Sequence, residues 1–148
     1  MVKDLSMFSL EGLTVVLIGG GGVLGTSIAG GMVAAGARVA ICDLSMEKAE
    51  VAAAGLKKLE SEVRCYEVNA LDKKSLFDVC NAICRDLKRV DVLVNLVGGN
   101  LPEASTSPER SFFDLPLSSL ERAVAINLFA GAVLLTAILM PMLSSRLT

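Results

Sequence analysis

Three glycines near the start of the chain have a spacing that suits the binding of a pyrophosphate. They are Gly20, Gly22 and Gly25, in the pattern G-x-G-x-x-G. Glycine permits a tight turn and lets a ligand approach the backbone closely. Free amides at the start of a following helix attract an anion. The pattern is informative only where a strand precedes it and a helix follows it, so the surrounding elements decide its meaning.

An acidic residue follows the glycines at a distance that suits contact with the same ligand. Asp43 ends the next apolar run, about 20 residues after the turn, where a carboxylate accepts a hydrogen bond from a ribose 2′-hydroxyl and repels a 2′-phosphate. No Arg or Lys follows it immediately, and the nearest is Lys48. We therefore expect NAD as cofactor, in preference to NADP. The alternative is that Asp43 is solvated or caps the helix after Leu44.

Short apolar runs alternate with helical segments along the chain. Strands are predicted over Leu13–Gly19, Ala37–Asp43, Val63–Val68 and Val90–Val97. Helices are predicted over Val23–Ala35, Met46 to about Leu59 with Ser45 as N-cap, about Asp72 to Leu87, and 118–143. This alternation predicts an α/β protein with a Rossmann-type parallel sheet of order 3-2-1-4 and helices on both faces. We expect a single domain over residues 1–148, with its ligand at the carboxyl ends of the strands.

Composition narrows the class of protein. Hydrophobic residues make up 53% and charged residues 20%, which argues against disorder. The net charge of −2, without a basic cluster, argues against nucleic acid as a partner. There is no histidine, and the four cysteines have spacings unsuited to a metal site, so we expect no metal and reduced thiols in a cytoplasmic protein. The N-terminus lacks the apolar core of a secretory signal.

The last predicted helix is strongly apolar. Residues 123–143 carry no charge and are long enough to span a membrane. However, Asn127 lies inside the run, Pro141 lies near its end, and the run continues a helix that opens with a predicted capping box, Ser118-x-x-Glu121. Helices that are apolar all round are also found buried in proteins or at subunit contacts. A membrane anchor is therefore the less favoured alternative.

Downstream motifs resemble those of the short-chain dehydrogenases and reductases. The segment Asn95–Gly98 resembles the N-x-x-G motif that lies beside the cofactor in that family. The turn Gly19–Gly25 resembles its T-G-x-x-x-G-x-G, although Ile18 replaces the threonine and Val23 the middle glycine. The glycine run, the N-x-x-G-G-N sequence from Asn95 and the sequence Phe112–Leu115 look like the fructuronate reductase, or D-mannonate oxidoreductase, branch.

The motif and the resemblance together assign a cofactor-binding set. Its members are Gly19, Gly21, Gly22, Val23, Leu24, Gly25, Asp43, Asn69, Ala70, Asn95, Val97 and Gly98. Asn69 and Ala70 stand where the family has an aspartate and an aliphatic residue in its adenine pocket, and the alternative for Asn69 is a loop cap before the next helix. The resemblance also implies that Asn127 is the helix asparagine of the catalytic tetrad, whereas the alternative is a core amide satisfied by backbone.

The resemblance implies an NAD(P)-dependent oxidoreductase. Such an enzyme transfers a hydride to or from a secondary alcohol or ketone, and a sugar acid is one candidate for the small-molecule substrate. The family's proton transfer depends on a Ser and a Tyr-x-x-x-Lys on the fifth strand and the helix after it. The only tyrosine, Tyr66, lies in the third strand, and no Tyr-x-x-x-Lys occurs.

We therefore expect a cofactor-binding fragment that is truncated before the fifth strand and is inactive by itself, with the C-terminal half of the fold missing. The resemblance implies that the parent enzyme is a homo-oligomer through the helix 117–143. Two alternatives remain open at this point. One is a nucleotide-binding module without catalysis, and the other is a membrane-anchored protein that uses residues 123–143.

Overall fold

The computed structural model describes residues 6–56, 61–133 and 138, and its centre is a sheet of four parallel strands. In chain order these are β1 (Thr14–Ile18), β2 (Arg38–Asp43), β3 (Val63–Glu67) and β4 (Val92–Asn95). The spatial order is β3-β2-β1-β4, which confirms the predicted topology. In the register, β1 ends beside β2 and β4 at the same edge of the sheet.

Helices cover both faces of the sheet, as predicted. The helices α1 (Val23–Ala34) and α2 (Met46–Ala54) pack on one face. The helix α3 (Lys73–Leu87) and the residues after α4 (Leu117–Val124) pack on the other. All five residues of β1 are buried, because alternate side chains enter the two cores. A strand covered on both faces reads as a continuous apolar run, which explains the sequence of β1.

Side chains cap two of the helices. The Ser45 hydroxyl accepts a hydrogen bond from the Lys48 amide at 3.3 Å and begins α2, as predicted. The Asp72 carboxylate accepts from the amides of Lys74 and Ser75 and begins α3. These bonds satisfy amides that the first helical turn leaves without intrahelical partners. The end of α2 at Ala54 is earlier than predicted, and residues 57–60 lie outside the described part of the chain.

The predicted capping box at the start of α4 is wrong. The helix begins at Leu117, directly after Pro116, and no side chain caps it. Ser118 is therefore already inside the helix, where its hydroxyl is not in the N-cap position. After Val124 the backbone passes into a π-helical turn over Ala125–Phe129 and then resumes as helix through residue 133.

The rest of the predicted last helix, apart from residue 138, lies outside the described residues. Within the part of the chain that the structure describes, no helix is both long enough and apolar enough to cross a membrane.

A substitution at Thr14, the first residue of β1, tests the effect of a buried hydroxyl group on stability. Its side chain is fully buried, and its hydroxyl has no hydrogen-bond partner among the described residues. We expect Thr14→Val to raise the free energy of unfolding by about 1 kcal/mol, because it removes an unsatisfied buried hydroxyl at nearly constant shape. The backbone hydrogen bond from Thr14 to the Asp91 carboxylate is unaffected by the change. Urea unfolding measures the difference.

Thr14→Ala is the matched control. It removes the same hydroxyl but also a buried methyl group, so we expect it to destabilise the protein through the cavity it leaves. A loss of stability in Thr14→Val would contradict the unsatisfied state of the hydroxyl.

Candidate functional site

A cleft of about 620 Å³ opens at the carboxyl edge of the sheet. It lies between β1 and its neighbours β2 and β4, which is the topological switch point where ligands bind in open α/β sheets. All but two of the predicted binding residues line it. Those that do are Gly19, Gly22, Val23, Leu24, Gly25, Asp43, Asn69, Ala70, Val97 and Gly98.

The glycine turn lets α1 begin almost directly at the end of β1. A Cβ atom on Gly25 would lie 2.4 Å from the carbonyl oxygen of Gly20, so only glycine permits this approach. Gly19 has φ +79°, and a Cβ there would lie 2.9 Å from the backbone of Leu96 beyond β4. Gly22, the N-cap of α1, has open space around it. The turn is thus packed tightly against its own backbone and that of Leu96, and it is open on the side of the cleft.

The N-terminus of α1 is a suitable place for an anion. No side chain caps this helix, so its first amides are left for another acceptor. The helix dipole adds a partial positive charge at the same end. Val23 and Leu24 in its first turn line the cleft and are largely exposed. Together these groups can hold a pyrophosphate.

The carboxylate of Asp43 is held from two sides. One oxygen, Oδ2, accepts from the Gly21 amide at 2.9 Å, and Oδ1 accepts from the Ser45 amide at 3.2 Å. Each carboxylate oxygen can accept a second hydrogen bond. Asp43 lines the cleft, so those remaining sites are available to a ligand hydroxyl. The helix after Leu44 is capped by Ser45 itself, and Asp43 instead ties the glycine turn to the end of β2.

Gly21 does not line the cleft but lies against its wall. A Cβ atom on Gly21 would meet the carboxyl group of Asp43 at 2.9 Å and the Cβ of Lys48 at 2.8 Å. Lys48 itself lines the cleft from α2. The sequence identified Lys48 only as the cation nearest to Asp43, and the fold brings the two residues to one wall.

Asn69 and Ala70 line the cleft after β3. The side-chain oxygen of Asn69 accepts from the Leu71 amide at 3.0 Å, and the backbone amide of Asn69 donates to the Ser75 hydroxyl. Asn69 therefore holds the loop before α3, while α3 itself is capped by Asp72, and the role of Asn69 in cofactor binding stays a prediction.

The two asparagines near the end of β4 organise backbone. Asn95 does not line the cleft, and its side-chain oxygen accepts from the Val97 amide at 3.0 Å. Asn127, on the π-helical turn, donates to the carbonyls of Gly99 and Ala123 and accepts from the Gly99 amide. Asn127 thus fixes the loop after β4 beside Gly98, and its catalytic role stays a prediction.

Several lining residues escaped the sequence analysis. Leu44 and Leu71 directly follow predicted residues, at 70% and 46% exposure, so the ends of β2 and β3 were the available signal. Arg122 and Ile126 also line the cleft, one helical turn apart on the last helix. The only signal in the sequence for these two cleft residues was their position shortly before Asn127.

Tyr66 does not contribute to the cleft. It lies in β3, where its hydroxyl donates to the Asp86 carboxylate of α3 at 3.0 Å. Burial and this hydrogen bond both raise the pKa of Tyr66, so its phenol resists deprotonation. Among the residues the structure describes, no tyrosine lines the cleft.

These features define a Rossmann-type α/β protein with a glycine turn and an anchored carboxylate at the switch point. A family model described as short chain dehydrogenase matches residues 13–147. The chain belongs to the short-chain dehydrogenase family. An oxidoreductase of uncharacterised function from Haemophilus influenzae is 31% identical over an alignment of 138 residues, which covers 86% of this chain and 48% of that protein.

Other similarities agree with this family. A 7alpha-hydroxysteroid dehydrogenase from Bacteroides fragilis is 29% identical, covering 95% of this chain and 52% of that protein. A Haemophilus influenzae structure with bound NAD, provisionally assigned as a D-mannonate oxidoreductase, has a TM-score of 0.87 at 28% identity. The match covers 93% of this chain and 52% of that chain. It agrees with the predicted resemblance to the D-mannonate oxidoreductase branch. The chain spans about half the length of the curated relatives it matches.

Two glycines of α1 give a matched test of the turn. We expect Gly25→Ala to lower the free energy of unfolding by at least about 2 kcal/mol, because the new Cβ overlaps the Gly20 carbonyl. Gly31→Ala, where the Cβ meets nothing within 4 Å, should raise it by about 0.5–1 kcal/mol through helix propensity. Chemical denaturation of both variants measures the contrast. Equal stability of the two variants would contradict the close approach of α1 to β1.

Proposed function

We propose that the cleft binds NAD and that the chain is the cofactor-binding part of an oxidoreductase. The observation that carries the proposal is the Asp43 carboxylate, fixed by two backbone amides beside the uncapped start of α1. A dinucleotide needs both features, because its pyrophosphate is an anion and the adenosine ribose next to it carries two hydroxyl groups.

The residues of the cleft fit such a cofactor. The open amides of α1 suit the pyrophosphate, and Gly22 leaves space for it to approach the backbone. Asp43 suits the ribose hydroxyls because its orientation is already set by Gly21 and Ser45. Exposed aliphatic side chains around the cleft, among them Leu44 and Leu71, suit the apolar faces of a base.

Asp43 supports NAD in preference to NADP. A 2′-phosphate would bring negative charge against a carboxylate that is already fixed in place. Lys48 on the same wall reduces this repulsion, so the preference depends on which of the two side chains lies closer to the ribose.

The reaction we propose for the whole enzyme is hydride transfer to or from a secondary alcohol or ketone. When bound, the nicotinamide supplies the hydride chemistry, and the protein binds and orients it. Asn127 supports this reaction by holding the backbone of Gly99 in the loop after β4. The family's chemistry also needs a proton donor, and the 148 residues contain no Tyr-x-x-x-Lys to provide it.

The similarity to a provisional D-mannonate oxidoreductase supports a sugar acid as substrate.

We also propose that the whole enzyme is a homo-oligomer through the segment 117–143. The exposed apolar side chains of Leu117, Val124 and Leu128 on the described part of this segment support a protein partner. Cys42 and Cys80 are buried thiols, which suits a reducing compartment such as the cytoplasm.

Asp43→Asn tests the cofactor assignment. We expect it to weaken NAD binding about tenfold or more, because a charged acceptor for the ribose hydroxyls is lost. We expect the ratio of NAD to NADP affinity to fall as well, because the repulsion of the 2′-phosphate is relieved. Isothermal titration calorimetry with both nucleotides measures these changes. Asp78→Asn, on the exposed face of α3, is the control and should bind both as the original chain does. Unchanged NAD affinity in Asp43→Asn would refute the ribose contact.

A second test separates binding from chemistry. We propose that the 148-residue chain binds NAD without turning over a substrate, because its sequence has no Tyr-x-x-x-Lys to transfer the proton. The measurement is NADH formation with secondary alcohols and sugar acids, alongside calorimetric NAD binding. Binding without NADH formation is the expected result, and steady NADH formation would overturn the proposed inactivity.

A further inference from the structure

Arg122 gives one wall of the cleft a positive charge. It lies on α4, one helical turn before Ile126, and both line the cleft. Lys48, the other cation of the described lining, lies on α2. The two cations therefore belong to different elements and different walls.

The layers of the fold indicate which part of a ligand Arg122 would meet. Val68 and Ala70, after β3, share a hydrophobic cluster with α3 and with Ala130, beyond α4. The helices α1 and α2 pack on the opposite face of the sheet. Arg122 therefore belongs to the side of the cleft formed after β3, whereas the glycine turn opens α1 on the other side.

That side of the cleft is apolar apart from Arg122 and Asn69. Ala70, Leu71 and Ile126 provide aliphatic surface, and Asn69 already uses its side-chain oxygen within its own loop. An apolar slot with a planar cation on one wall suits a flat aromatic ring, since a guanidinium stacks on such a ring.

The Glu103 carboxylate pairs with Arg122 beside this apolar part of the cleft. Arg122 Nη1 lies 3.3 Å from Glu103 Oε1, in the short helical segment Pro102–Ala104 of the loop after β4. Arg110 donates to the Pro102 carbonyl and braces the same segment. The Arg122 side chain is 65% exposed, so this ion pair stabilises the fold only slightly and leaves the guanidinium free to meet a ligand. Glu103 also offsets the positive charge, which favours stacking over attraction to a phosphate.

We propose that Arg122 stacks on the adenine base of the bound nucleotide and is a determinant of affinity for its adenosine half. This inference rests on the proposed function, because it assigns a further contact to the same cleft. The pyrophosphate and the ribose are held by the glycine turn and Asp43, and the base lies between Leu71 and Arg122.

Calorimetry on the full chain tests the proposal with NAD and with ADP-ribose, which lacks the nicotinamide. We expect Arg122→Ala to weaken the binding of both about three- to thirtyfold. Arg122→Lys should lose nearly as much, because an ammonium has no planar face to stack. The loss should persist in high salt, which screens a long-range attraction between exposed charges. Arg85→Ala, on the exposed face of α3, is the matched control and should bind both ligands like the original chain.

Each outcome has a distinct meaning. Unchanged affinity in Arg122→Ala, with the original chain binding NAD, overturns the role of Arg122 and leaves the proposed function intact. Full affinity in Arg122→Lys, or a loss that vanishes in high salt, overturns stacking in favour of attraction to phosphate. Failure of the original chain to bind either ligand overturns the proposed function and this inference together. Equal thermal unfolding of the variants shows that none of these results reflects misfolding, as the exposure of Arg122 leads us to expect.

Discussion

The close approach of Gly25 to the carbonyl of Gly20 is the constraint on which the rest of the site depends. Because no side chain separates the two backbones, α1 begins at the end of β1 with its amides open to the cleft. The same turn brings Gly21 against Asp43 of β2 and Gly19 against Leu96 beyond β4. One glycine-rich segment thereby connects the ends of three neighbouring strands, and the cleft is the space left above it.

Sequence patterns predicted the sheet well where both faces are covered. The interiors of β1 and β2, residues 15–18 and 39–42, are apolar throughout, and the alternation with helices was enough to predict the order 3-2-1-4. The ends were less predictable because local hydrogen bonds decide them. The fourth strand, predicted to reach Val97, stops at Asn95, whose side chain accepts from the Val97 amide and turns the chain. Likewise, the helix begins at Leu117 after Pro116, and the expected box at Ser118 does not form.

The candidate site was predictable where it follows strand ends and unpredictable where helices supply it. Gly19, Asp43 and Asn69 lie at the end of a strand or just after it, and the parallel sheet brings such positions to one edge. Lys48 and Arg122 reach the cleft from helices, and their direction depends on how each helix is rotated against the sheet. In the last helix, the π-helical turn at Ala125–Phe129 also shifts the register between Arg122 and Ala130, which packs on the sheet.

Binding and proton transfer make different demands on this fold. The described residues that line the cleft lie between Ile18 and Ile126, on the four strands, their helices and the loops that join them. The groups there are open backbone amides of α1, one fixed carboxylate, two cations and aliphatic side chains, which recognise charge and shape. None of these groups is a tyrosine, and the single tyrosine of the chain, Tyr66, donates a hydrogen bond to Asp86 of α3. On the function proposed above, this part of the chain binds and orients the cofactor, and the proton transfer is left to groups of another kind.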